Sequence, residues 1–401
     1  MADKYKVLHV STTAAGGLGT SLLSIVKSLD PAQCEVHVAI GLGHPLDTAF
    51  EAAGFPLHPL PLSRGIHPIQ FAKTLLELKR LMQRERFDVL HVHGSEAGIL
   101  ARIAARITGV PVVIAELHGY ANRNPDGILE RTLYRWIEMA LDRMTHAYVA
   151  VSQHVERQWL ARGICDAKRM QVIHHSLDLQ AFADRGHSPR PGALSGAPVV
   201  GTACLLEARK GLATLIEAMP AVIARVPKVR FAVVGKGPLQ PLMQARATEL
   251  GTTAHLDFMG WRNDIPELMW QFDLFALPSK RESFGLVFLE AMASRCPVVG
   301  TCVDGIPEVV EDGVTGLLVP PGDAHALALA IIDLLTDTEK ALRFAEAGRK
   351  RVETLFSNER MAREYNDLYM RLLRRGPLRA GAASESPPLD GESWGKVKTP
   401  Q

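Results

Sequence analysis

The sequence predicts an α/β protein built from two doubly wound parallel sheets in tandem. Three observations carry that prediction. Short runs rich in Val and Ile alternate with longer segments whose apolar residues recur every three or four positions, the mark of strands joined by crossover helices. The alternation stops in a stretch rich in Gly, Pro, Ser and Arg and then restarts. The chain has 401 residues, 47% of them hydrophobic and 22% charged. At about 150 residues per domain that is material for two or three ordinary cores.

In the first half the strand-like runs are Lys6–Val10, Glu35–Ile40, Asp88–His93, Pro111–His118 and Ala147–Ser152. They are nearly continuous in apolar residues rather than alternating, as strands covered on both faces are. Helical spacing fills Ser21–Leu29, Ile69–Gln83 and Ile128–Leu141 between them. After the break the runs are Val199–Leu205, Val229–Gly235, Leu274–Leu277, Pro297–Val303 and Gly316–Val319. Residues 376–401 lack periodicity and read as a disordered tail.

Composition excludes several classes. Lys and Arg total 45 against 43 Asp and Glu, a net charge of +2, so the chain is not a nucleic-acid-binding polycation. The five cysteines are scattered and form no C-x-x-C pair, which argues against a disulfide framework or a zinc module and for a reducing compartment. No signal peptide fits the start, and no run approaches the roughly 20 apolar residues of a membrane span. The expected location is the cytoplasm, with room for peripheral attachment at the inner membrane face. His91 and His93 share one face of a strand, and with His174 and His175 they invite a metal reading. Their spacings match no recognised ligand set, so no metal is expected.

In open parallel sheets ligands bind beyond the carboxyl ends of strands. The densest cluster of chemistry in the sequence lies there, from Leu277 to Ala293. A strand ends, a loop carries Pro278, Ser279 and Glu282, and a helix opens near Phe284–Gly285. The free N–H groups at Gly285, Leu286 and Val287 form an anion site. Glu290 lies about 7.5 Å further along the helix axis, and its side chain leans back toward that end. A carboxylate there suits neutral hydroxyl donors such as a ribose.

With these residues in hand, the stretch Pro-Ser…Glu-Ser-Phe-Gly…Glu-Ala-Met-Ala resembles the signature of retaining GT-B glycosyltransferases of family 4. The resemblance runs over about residues 5 to 373. It implies two Rossmann-like domains facing a central cleft and transfer of a hexose-type sugar from a nucleotide-diphosphate donor, with retention, to a hydroxyl acceptor. It further implies no cofactor and no metal, with the nucleotide-diphosphate sugar as co-substrate. Cell-surface polysaccharide or glycolipid assembly is the expected setting. The partners implied are that donor, a sugar or lipid-linked acceptor and peripheral membrane contact through the first domain, with no nucleic acid.

The implied organisation is an acceptor-side domain (1–183), a linker (184–197), a nucleotide-sugar domain (198–358), a C-terminal helix crossing back to the first domain (359–375) and the tail. Carried over residue by residue, Glu282 sits by the transferred sugar, Glu290 holds the ribose, and Ser283, Phe284, Gly285, Leu286 and Val287 receive the diphosphate. Lys210, with Arg209 beside it, resembles the family's diphosphate-binding Lys. Gly235 resembles the turn of the second domain, and Trp261 and Arg262 the stretch beside the nucleobase. Gly16, Gly17 and Gly19 resemble the glycine-rich loop on the acceptor side; from spacing alone they fit a plain strand-to-helix turn equally well. His118 resembles the His that faces the sugar, so His118, Glu282 and Lys210 are the implied catalytic set.

Two departures stand out. Cys204 occupies a position where the family usually has Arg, and a thiol does not replace a guanidinium. His174-His175-Ser176-Leu177-Asp178 stands where the family often has Pro-Asn-Gly-Val-Asp. They motivate the alternatives: a nucleotide-sugar-binding protein with degenerate catalysis or, further off, a GT-B-fold epimerase. The segment Phe71–Arg86 carries Lys73, Lys79, Arg80, Arg84 and Arg86 among apolar residues. It reads as a core-facing helix with a charged face, or as a basic amphipathic helix suited to a membrane surface.

Overall fold

The structure, a computed structural model, describes residues 4–12, 16–41, 47–61, 68–119, 128–182 and 197–375. The expected tail at 376–401, and the expected linker at 184–197 apart from Ala197, lie outside the described residues. The chain divides into two compact units, residues 1–176 with 358–401 and residues 177–357.

The first unit is built on β1 (Tyr5–Ser11), α1 (Gly16–Ser28), β2 (Cys34–Gly41), α2 (Asp47–Ala52), β3 (Leu57–Leu60), α3 (Pro68–Glu85), β4 (Val89–His93), α4 (Ser95–Thr108), β5 (Val112–Leu117), α5 (Ile128–Asp142), β6 (Ala147–Ala150), α6 (Gln153–Leu160) and β7 (Met170–Val172). Its strands form one seven-stranded sheet in the order β3-β2-β1-β4-β5-β6-β7, every pairing parallel. Every residue of β4, β5 and β6 is buried, which is why these segments read as unbroken apolar runs. Local chemistry sets the helix ends. Ser152 caps α6 by accepting the Val155 N–H, and Gly109, in the left-handed region, stops α4 and donates to the Ala105 carbonyl.

The second unit contains β8 (Val199–Ala203), α7 (Leu212–Arg225), β9 (Arg230–Val234), α8 (Gln240–Glu249), β10 (Leu256–Gly260), α9 (Ile265–Gln271), β11 (Leu274–Ala276), α10 (Leu286–Ala293), β12 (Val298–Thr301), α11 (Ile306–Val309), β13 (Gly316–Val319), α12 (Ala324–Thr336) and α13 (Thr338–Leu355). Its parallel sheet runs β10-β9-β8-β11-β12-β13. The core gathers Leu215, Met219 and Val222 of α7 with Phe231 and Val233 of β9 and Leu327 and Ile331 of α12.

The last helix among the described residues, α14 (Asn358–Arg375), returns to the first unit. Its Met361, Tyr365, Leu368, Tyr369 and Leu372 are buried with Val7, Leu22, Val89 and Ile114. Residues 177–182, read from the sequence as part of the first domain, instead pack with the second unit. Leu177 bridges to Ser357, and the Phe182 carbonyl accepts from Arg349 Nη1 at 3.0 Å.

Three strands escape the sequence reading: β3, β7 and β10. All are sheet edges. Pro59 interrupts β3, β7 spans three residues, and β10 is half-exposed with a register shift between Phe258 and Gly260. Edge strands need no continuous apolar run, so they carry little pattern.

In both sheets the order reverses beside the first strand. The switch point falls between β1 and β4 in the first unit and between β8 and β11 in the second. Ligands of open α/β sheets bind beyond the strand ends at such points.

Candidate functional site

In the second unit the segments leaving β8 and β11 flank the switch point. The first runs to Lys210 and turns at Gly211, whose φ is 67°. The second runs from Leu277 to Gly285. The two are locked together. The Arg209 carbonyl accepts the Lys280 N–H at 2.7 Å, and a Cβ on Gly211 would lie 1.8 Å from the Pro278 carbonyl oxygen. Only glycine permits both that backbone conformation and that approach.

This contact delivers Lys210 to Glu282. The Nζ donates to Glu282 Oε2, and both side chains are about nine-tenths buried. The Glu282 N–H donates to Asp304 Oδ2 at 3.0 Å, and its carbonyl accepts the Gly305 N–H at 3.0 Å. Asp304 holds a positive φ of 50° to make this contact, a cost of about 1–3 kcal/mol that the surrounding fold supports. Glu282 is therefore fixed at both backbone and side chain.

Gly285 caps α10 at a φ of 101°. The first amides of the helix, at Leu286 and Val287, have no carbonyl four residues back within the helix, and they form its positive end. On the next turn Glu290 is half-buried, and burial raises its carboxyl to about 7. Among the described residues no hydrogen bond or ion pair engages that carboxylate.

The other second-unit candidates lie on neighbouring turns. Gly235, at a φ of 128°, is where β9 passes the chain leaving β8, and a Cβ there would meet the Cys204 carbonyl oxygen at 1.9 Å. Cys204 itself is a desolvated thiol pushed up to about 12, which leaves it neutral and inert near pH 7. Arg209 pairs with Glu207 at 2.9 Å. Trp261 is exposed and donates its indole N–H to Asn263 Oδ1 at 3.0 Å, and Arg262 pairs with Asp264. Ser283 lies between Glu282 and the buried Phe284.

In the first unit, register builds a polar patch on one face of the sheet. His9 of β1 lies opposite His91 of β4, and His93 of β4 lies opposite Glu116 of β5. His118 follows two positions after Glu116, so it shares that face. Glu116 is the hub. Its Oε2 accepts from Tyr365 Oη of α14 at 2.8 Å and lies 3.1 Å from His91 Nε2. Its Oε1 lies 3.3 Å from His118 Nε2 and 3.9 Å from His175 Nε2. Tyr369 Oη reaches His91 Nδ1 at 2.7 Å. Burial lowers His118 to about 4 and His175 to about 3, so both are neutral near pH 7. Burial opposes ionisation of Glu116, yet the surrounding imidazoles hold its carboxyl well below the usual range. Gly16, Gly17 and Gly19 open α1 after β1. Gly16, at a φ of 62°, needs glycine, and Gly19 is buried.

The structure thus brings Lys210, Glu282, Gly285 and Glu290 to one switch point and sets His118 at the strand ends of the first unit. The sequence reading missed Glu116, His9, Tyr365 and Tyr369. The signal available for the first of these was Glu-x-His at the end of a buried strand.

Residues 16–175 match the glycosyl transferase 4-like domain, and residues 188–351 match the glycosyl transferases group 1 family. The chain is 31% identical over 308 residues to the phosphatidyl-myo-inositol mannosyltransferase of Mycobacterium tuberculosis (strain H37Rv), covering 73% of this chain and 77% of that protein. The chain belongs to the group 1 glycosyltransferases. It is 26% identical to the Escherichia coli UDP-Gal:alpha-D-GlcNAc-diphosphoundecaprenol alpha-1,3-galactosyltransferase, over 92% of this chain and 97% of that enzyme. Its fold is that of Anabaena HepE, solved in complex with UDP and glucose. The TM-score is 0.78 at 24% identity, with 91% of this chain and 99% of that one covered.

The glycosyltransferase is therefore a two-domain α/β enzyme of GT-B type, as the sequence resemblance implied, with a sugar nucleotide as co-substrate. Retention is consistent with the family. Neither the degenerate-binding alternative nor the epimerase alternative is favoured by these relatives. Among the described residues no helix of the glycosyltransferase is long and apolar enough to cross a membrane.

Proposed function

We propose that the glycosyltransferase binds a nucleoside-diphosphate sugar on its second unit and transfers the sugar, with retention, to an acceptor hydroxyl held by its first unit. The observation that carries this reading is the unpartnered Glu290 carboxylate one turn into the helix that opens at Gly285, a glycine that itself lies against the side chain of Glu282, the partner of Lys210. The amides of Gly285, Leu286 and Val287, with Ser283 and Phe284 leading in, receive the diphosphate, and Lys210, flanked by Arg209, balances the charge that builds on it as the glycosidic bond breaks. Glu290 accepts ribose hydroxyls. Gly235, Trp261 and Arg262 border the nucleoside, and Glu282 faces the transferred sugar.

On the acceptor side, His118, as a neutral imidazole, hydrogen-bonds a sugar hydroxyl, and Gly16, Gly17 and Gly19 let the backbone approach the acceptor. The acceptor oxygen bonds to the anomeric carbon from the face the diphosphate leaves. The departing phosphate oxygen takes the acceptor's proton, so no separate protein base is required. In this reading residues 1–176 with the returning helix α14 form the acceptor-side domain and 177–357 the donor domain.

The acceptor we infer is lipid-linked, as in the Escherichia coli relative, or a growing glycan, met at the cytoplasmic face of a membrane. Helix α3 supports this. It exposes Ile69, Phe71 and Leu76 beside Lys73, Arg80 and Arg84, and α5 exposes Leu133 and Trp136. Apolar and basic side chains mixed on a helix surface suit an anionic bilayer.

The test is thermal denaturation of the purified chain against a panel of nucleoside diphosphates and their sugars, without added metal. A ligand that binds only the folded state raises the melting temperature. A shift with one base and one sugar is expected. No shift at millimolar concentration, from a protein shown to be folded, overturns the reading.

A further inference from the structure

We propose that Glu116 is a positioning residue for the transfer: its buried carboxylate holds His118 in the tautomer with the proton on Nε2 and so leaves a bare Nδ1 for the sugar. This role rests on the reading that places His118 at a hydroxyl of the transferred sugar. Glu116 Oε1 lies 3.3 Å from His118 Nε2. At that distance a bare Nε2 would set its lone pair against a negative oxygen, whereas an N–H puts a positive hydrogen between the two. A neutral imidazole carries one such proton, so Nδ1 is left as an acceptor. No described residue hydrogen-bonds Nδ1, and the side chain keeps 17% of its surface exposed. The ring is stacked on His175, with centroids 5.3 Å apart and planes within 18°, which limits its freedom to turn.

The groups around Glu116 divide its two oxygens. Oε2 accepts from Tyr365 Oη at 2.8 Å, with His91 Nε2 at 3.1 Å and His93 Nδ1 at 3.5 Å. Oε1 is left facing His118, with His175 Nε2 further off at 3.9 Å. His93 Nδ1 also lies 3.5 Å from His118 Nε2, and its Nε2 meets His9 Nδ1 at 2.9 Å. Among the described residues no Lys or Arg pairs with Glu116. Its charge is therefore not cancelled by a fixed cation, and in a buried setting its field reaches the imidazole with little screening. Polarised from behind, His118 Nδ1 becomes a stronger acceptor. Breaking a glycosidic bond builds positive charge on the sugar ring. A hydroxyl on such a ring donates more strongly and accepts less well, so an acceptor nitrogen gains toward the transition state where an N–H would lose. No proton leaves or reaches the reacting atoms through this pair.

The experiment uses the full chain with isotopically labelled histidine. The ring nitrogens are recorded by NMR without nucleotide or sugar, and the His118 signals are assigned by their loss in His118→Asn. A protonated Nε2 and a bare Nδ1 are expected. In Glu116→Gln the amide oxygen takes the place of Oε2, where Tyr365 donates, and the NH2 group faces His118, so the proton is expected to move to Nδ1. The same variant is expected to lower kcat about tenfold or more, short of the roughly 10⁴-fold that a wrong tautomer costs where the imidazole is itself the base. KM for the sugar nucleotide that gives the thermal shift should change little, since the lost interaction belongs to the transition state. Tyr365→Phe removes a hydrogen bond to Glu116 but not its charge, so it is expected to keep the Nε2–H tautomer. A bare Nε2 in the native chain overturns the proposal. So does a Glu116→Gln chain that keeps Nε2–H, or one whose kcat falls no further than its folded fraction. If that variant does not fold, the native spectrum still decides the tautomer. His118→Asn, whose amide oxygen can stand where Nδ1 stood, is then expected to keep more of kcat than His118→Ala, and equal losses overturn the acceptor role. The spectra need no substrate, so failure of the transfer reading shows separately, as absence of turnover in the native chain.

Discussion

Lys210 and Glu282 are 72 positions apart in the chain, yet the ammonium of one donates directly to the carboxylate of the other. Each side chain is about nine-tenths buried, and the carboxylate is also anchored through its backbone to Asp304 and Gly305. The pair is thus positioned before any ligand arrives. Such preorganisation is what makes a charge effective against the charge that develops in a transition state. Lys210→Ala is expected to lower kcat about 100- to 1,000-fold with a smaller effect on donor affinity. Steady-state kinetics on the variant, with its melting temperature as a folding control, check this.

Glu290 predicts a pH dependence. Its carboxyl is raised to about 7 by burial, above its value in an unfolded chain. Whatever stability the neutral acid lends is complete below the unfolded pKa and is lost as pH rises through about 7, at most about 3 kcal/mol. A ribose donating to this group favours the ionised form, so nucleotide affinity is expected to rise over the same interval. Calorimetric titration with a nucleoside diphosphate below and above pH 7 measures it. Glu290→Gln is expected to flatten both dependences and to weaken nucleotide binding.

Gly211 is expected to be intolerant of any side chain. Gly211→Ala places a methyl 1.8 Å from the Pro278 carbonyl at a φ of 67°. The left-handed backbone alone costs about 1–3 kcal/mol, and the two segments must also separate. Chemical denaturation should register the loss of stability. The same variant is expected to lose activity beyond what its folded fraction explains, because the displaced contact holds Lys210 against Glu282. Gly251→Ala has a similar φ of 68° and open space around it, so it isolates the backbone cost.

The central strands and the donor-side motif were legible because their constraints are local. A buried parallel strand must be apolar throughout, and a strand end, a loop and a helix start follow one another within Leu277–Ala293. The edge strands β3, β7 and β10 were not legible, since one free edge relaxes that demand. Nor was the polar patch of the first unit. His9, His91, Glu116 and Tyr365 lie far apart in the chain, and only strand register and the return of α14 bring them together. Cys204 was visible as a departure from the family pattern. Its burial behind Gly235 emerges only in three dimensions.

The return of α14 also orders events on the ribosome. The first sheet is translated early, but Met361, Tyr365, Leu368 and Tyr369, which close its core and satisfy Glu116 and His91, come from the last helix. The nascent first unit therefore carries an uncovered apolar and polar face until the whole second unit has been synthesised. The part of the enzyme made first is the part finished last, and a chain cut after Ser357 would hold a complete second unit and an unfinished first one.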